Sequence, residues 1–102
     1  MNQILIDRFE FPKEAKEVFL ERVKQNRDLI KTISGFLGDT AYIHEAEDKI
    51  LFVTVATWEN KTSLDNAKTL VFAAYQKQGF VMPEFLALHS IKIERAIYER
   101  MS

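Results

Sequence analysis

The segment ILFVTVATW, residues 50–58, constrains the fold most. As a strand it sets Ile50, Phe52 and Trp58 on one face and Leu51, Val53 and Val55 on the other. A strand that is apolar on both faces must be covered on both. Residues 3–11, QILIDRFEF, have the same character: Leu5, Asp7, Phe9 and Phe11 share one side, and Ile4, Ile6, Arg8 and Glu10 the other. Helices of the same chain can cover one face of such a sheet. The second face needs another cover.

The helices are legible from their stripes. After Pro12, KEAKEVFLERVKQNRDLIKTI repeats Ala15, Val18, Phe19, Val23, Asn26, Ile30 and Ile33 at spacings of three and four, which predicts an amphipathic helix of about five turns. Ser34 and Gly35 end it. A strand is expected around residues 39–46, joined by the short EDK turn to the strand at 50–58. Thr62 and Asp65 resemble a capping pair for a second helix, whose stripe of Leu64, Ala67, Leu70 or Val71, Ala74 and Tyr75 runs to Gly79. FVMPEFLA reads as an irregular link with one helical turn starting at Pro83. LHSIKIERAIYE then alternates His89, Ile91, Ile93, Arg95 and Ile97 as a last, half-buried strand.

The order strand, helix, strand, strand, helix, strand predicts an α+β fold of ferredoxin-like βαββαβ type, with a four-stranded antiparallel sheet and both helices on one face. A second copy of the chain is the economical cover for the other face, which predicts a homodimer.

With 102 residues, 47% of them hydrophobic and 28% charged, residues 1–102 form one domain. A net charge of -1 provides no positive field for nucleic acid or an acidic membrane. Absence of cysteine excludes a disulfide framework, a thiolate metal site and a cysteine nucleophile. MNQILIDRF lacks the pattern of a secretory leader, and no apolar run approaches the roughly 18 residues that span a bilayer, so the cytoplasm is the expected compartment. HEAE on a strand would send His44 to one side and Glu45 and Glu47 to the other, so no metal site is expected. GFLG lacks the features of a phosphate loop.

A strand ending FEFP, a helix ending SGF, the strand ILFVTVATWEN and a helix containing FAAY together resemble the antibiotic biosynthesis monooxygenase family of dimeric α+β barrels, over nearly the whole chain. The family includes cofactor-independent quinol and anthrone oxygenases and heme-degrading enzymes. In the former, the tryptophan matched here by Trp58 lines a chamber between helices and sheet. An asparagine of the polyketide oxygenases falls at Thr54, and a tyrosine of theirs at Leu64. In the heme-degrading branch, the strand asparagine, the tryptophan and the iron-binding histidine fall at Asp7, Trp58 and Tyr75. An acid thus replaces the amide, and a phenol the imidazole.

The resemblance therefore implies a monooxygenase without cofactor, acting on a quinol or related small aromatic; heme is the secondary possibility. Such an enzyme needs a base for a phenolic proton, an apolar pocket for a flat ring and a donor for developing negative charge. Asp7, on the face of Leu5, Phe9 and Phe11, is one candidate base; His44 and His89, the chain's two histidines, are the others. Trp58, Tyr75 and Thr54 are expected to line the pocket. The alternative is a dimeric barrel without catalysis that binds a small hydrophobic molecule or a protein partner.

Overall fold

β1 (Gln3–Phe11) lies inside the sheet of the computed structural model, which describes residues 1–101, and pairs antiparallel on both sides. The strand order is β2-β3-β1-β4, with β2 at Phe36–Glu45, β3 at Ile50–Trp58 and β4 at Lys92–Tyr98. This is the ferredoxin-like α+β arrangement. Helices α1 (Lys16–Ile30), α2 (Lys61–Gln78) and α3 (Met82–Leu88) complete it. Extents of 39 × 37 × 18 Å describe a two-layer slab, helices on one side of the sheet. None of the described helices is long and apolar enough to cross a membrane.

Several boundaries differ from the expectations, each for a local reason. Pro12 leads into a 3-10 turn at Lys13–Ala15, and α1 ends at Ile30, ahead of Ser34 and Gly35. Tight bonds from Thr32 and Ile33 N–H to Leu29 and Ile30 carbonyls take over there. β2 begins at Phe36 and carries a bulge between Phe36 and Gly38. The cap of α2 is Asn60, whose Oδ1 accepts from Ser63 N–H at 2.8 Å; Thr62 and Asp65 lie inside the helix. Gly79 closes α2 at φ 67, as its left-handed freedom allows. The single turn expected at Pro83 is a seven-residue helix, which pushes the last strand to Lys92 and leaves His89 as the C-cap of α3.

The covered face holds two separate cores. Phe11, Ala15, Phe19, Ile50, Phe52, Leu86 and Ile91 pack at one end, with the Phe19 ring 4.7 Å from Phe11 and 5.7 Å from Phe52. Ile30, Ile33, Ala56, Trp58, Leu64 and Ala67 pack at the other, where Phe36 meets Trp58 edge-on at 5.2 Å. Between them runs one row of the sheet in register: Ala41, Thr54, Asp7 and Arg95. The opposite face carries Ile4, Ile6, Tyr42, Leu51, Val53 and Val55, with Tyr42 61% and Leu51 37% exposed. None of the described helices covers it.

Candidate active site

The polar row between the two cores is too small and too hydrophilic to fill the gap under the helices, and a cavity of about 510 Å³ opens there. That volume lies within the roughly 300–1,000 Å³ of small-molecule sites. Leu5, Phe9 and Ala56 form its floor, and α1 and α2 its sides. Its walls are mainly apolar, which suits a flat hydrophobic ring.

Three polar pairs and the Trp58 ring line this chamber. Asp7, only 7% exposed, accepts from Arg95 Nε at 2.7 Å and from Arg95 Nη2 at 2.8 Å, a two-pronged pair across neighbouring strands. That hydrogen bond, opposed by burial, raises the Arg95 pKa. Arg27 of α1 donates from Nε and Nη2 to the carboxylate of Asp39 at 2.6 and 3.3 Å. Tyr75 Oη donates to Asn26 Oδ1 at 2.9 Å, tying α2 to α1, and burial raises the pKa of its phenol. Trp58 is 2% exposed, and among the described residues its Nε1 is a buried donor without a partner.

Of the residues singled out by sequence, Asp7, Thr54, Trp58 and Tyr75 all line the cavity. The two histidines do not. His44 pairs with Leu51 on the sheet's other face, because its position in β2 has the parity of Tyr42 and Thr40. His89 caps α3 and packs on the Phe85 ring at 4.8 Å. Arg95, Asn26, Arg27 and Asp39 complete the site without having been singled out as functional. A signal for two of them existed. Arg95 interrupts Ile93 and Ile97 on one face of a strand, and Asn26 interrupts the apolar stripe of α1.

Heme does not suit these residues. Tyr75, which the resemblance sets against the iron ligand of the heme-degrading branch, donates its hydroxyl proton in a hydrogen bond to Asn26, and its raised pKa opposes the phenolate that would bind ferric iron. Among the described residues no three His, Asp or Glu side chains gather as a metal site.

A ferredoxin-like sheet with an apolar chamber beneath its helices, lined by an acid–arginine pair and a buried tryptophan, defines a small α+β domain with room for a small molecule. The family model for antibiotic biosynthesis monooxygenases matches residues 3–78, from β1 to the end of α2, and the chain belongs to that family. No curated protein matches it by sequence. Among solved structures, a variant of SnoaB, a cofactor-independent oxygenase from Streptomyces nogalater, is similar with TM-score 0.71 at 18% identity, covering 99% of this chain and 94% of that one. A dimeric ferredoxin-like protein from an uncultured marine organism has TM-score 0.72 at 14% identity, covering 95% and 92%. A conserved protein from Methanosarcina mazei Go1 has TM-score 0.71 at 19% identity, covering 99% and 95%. At these identities the likeness is one of fold.

Proposed function

We propose that the protein is a cofactor-independent monooxygenase that acts on a quinol, anthrone or related small aromatic. The observation that carries this reading is the placement of Asp7, paired with Arg95, on one apolar cavity that the Trp58 ring also lines. Family membership and the fold shared with a cofactor-independent oxygenase support it.

Such a substrate carries its own reducing power once it loses a proton. Asp7 takes that proton from the phenol or enol, and Arg95 then pairs with the substrate oxyanion in place of the carboxylate. One ion pair replaces another, so no net charge is newly buried. The Trp58 ring and the other apolar walls exclude water, which strengthens that pairing. The electron-rich ring passes one electron to O2, and the two radicals combine at a ring carbon as a hydroperoxide. For an anthrone, loss of water across the C–H and O–O bonds leaves a carbonyl. The methylene carbon loses four electrons, one oxygen atom enters the product and the other leaves as water.

The test is oxygen uptake by the purified protein with a panel of hydroquinones and anthrones. Turnover well above autoxidation, lowered about 10²–10⁴-fold in Asp7→Asn, is the expected result. Uptake no faster than autoxidation across the panel overturns the oxygenase reading and leaves a barrel that binds without catalysis.

A second copy of the chain is our proposed cover for the open sheet face. Ile4, Ile6, Val53 and Val55 stand beside Arg8, Glu10, Lys92 and Glu94 there, so apolar contact and mixed charge can both be met by a twofold-related copy. The dimeric neighbour of the same fold supports this.

A further inference from the structure

The charge of the chamber wall is opposite in sign to that of the chain. Arg22, Arg27, Lys68 and Arg95 line it against two carboxylates, Asp7 and Asp39, so four cations less two anions leave a formal +2 inside a protein of net charge -1. Arg95 is matched by Asp7 and Arg27 by Asp39. Arg22 and Lys68 remain, and neither has a carboxylate partner among the described residues.

Arg22 is held for use. Its guanidinium lies 3.5 Å from the centroid of the Phe80 ring and 5.8 Å from that of Tyr75, and Nη1 donates to Gln78 Oε1 at 2.8 Å. These contacts fix the plane of the fork and engage one of its five N–H donors. Lys68, an exposed residue of α2, also lines the chamber and brings a compact point charge on a long stem. The reaction proposed above places its developing charge against Arg95, and so gives Arg22 and Lys68 no task.

We infer that the chamber takes an aromatic acid: a flat ring carrying a permanent carboxylate, whose charge is met by the Arg22 fork, with Lys68 adding a second positive charge to the wall, while the oxidisable end of the ring faces Asp7. This rests on the reading of the cavity as an aromatic-binding chamber. A planar carboxylate matches the arginine fork, and the apolar walls strengthen the attraction by excluding water.

The experiment is calorimetric titration of the whole protein with two redox-inert probes of equal shape, naphthalene-2-carboxylate and naphthalene-2-carboxamide. The carboxylate binds about tenfold or more tightly than the amide, as a charge-assisted hydrogen bond implies. Arg22→Gln and Lys68→Gln each reduce that ratio, and together they bring it to about one. Both positions are at least partly exposed, so the variants keep the fold, which circular dichroism verifies. Equal binding of the two probes, or a ratio unchanged in the double variant, overturns the inference and leaves the oxygenase reading standing. Binding of neither probe overturns the aromatic chamber itself.

Discussion

Arg95 and Asp7 face each other across the β1–β4 pair, and the guanidinium reaches both carboxylate oxygens, at 2.7 and 2.8 Å. Asp7 is nearly buried, whereas the Arg95 side chain is 51% exposed, so the two partners depend on the pair unequally. Asp7→Ala leaves an arginine that water can still reach, and costs about 1–2 kcal/mol, below the 3–5 kcal/mol of a fully buried pair. Arg95→Ala leaves a buried carboxylate and costs more. A double-mutant cycle by urea unfolding returns a coupling of about 1–3 kcal/mol; independent effects would mean that the pair holds nothing together.

Trp58→Phe tests the wall of the chamber. The ring loss in the second core costs about 1–2 kcal/mol of stability, on the scale of large-to-small substitutions. A looser wall raises KM by about 10-fold with kcat little changed, as lost apolar contact with a substrate does. Steady-state oxygen uptake at a temperature where both proteins are folded measures this. A fall confined to kcat would instead give Trp58 a part in the chemical step.

Gly35 lies against the start of α2, where its carbonyl accepts from Glu59 N–H at 2.8 Å. Its φ of +90 disfavours any side chain, and a Cβ there would overlap Oγ and Cβ of Ser63. Gly35→Ala therefore destabilises by about 1–3 kcal/mol. Adding Ser63→Gly relieves the overlap but not the backbone strain, so thermal unfolding recovers only in part. Full recovery would make the clash the whole cost.

Burial raises the pKa of Tyr75 above its ordinary 10.0, while the nearby charges of Arg22 and Arg95 pull it down. The folded state thus favours the neutral phenol. Its contribution to stability is complete below pH 10.0 and is lost as pH rises through the folded value. Urea unfolding at a series of alkaline pH values shows the wild type losing its advantage over Tyr75→Phe in that window. A constant difference between the two proteins would show that the phenol titrates alike in both states.

The open sheet face predicts an oligomeric state. Light scattering gives a mass near twice 11.9 kDa for the wild type, and Val53→Asp, which sets a charge among Ile6, Val55 and Tyr42, returns it to one chain. A wild-type mass of one chain contradicts the proposed dimer.

Local pattern determined much of this protein. Alternation in residues 3–11 and 50–58 located both central strands and their two apolar faces, and the three- and four-residue stripes located the two long helices, because each signal is contained within one element. Asp7 stood out for the same reason, as a polar side chain on a core-facing stripe, whereas Trp58 and Tyr75 were pointed to by the family resemblance; all three line the cavity. What joins them was not legible. Arg95 and Asp7 are 88 residues apart, Tyr75 and Asn26 49 apart, and only strand register and helix docking bring each pair within hydrogen-bond distance. His44 shows the same limit from the other side. Its alternation in β2 was readable, but which of the two parities faces the helices is decided by how β2 pairs with β3, and that pairing turns it away from the chamber.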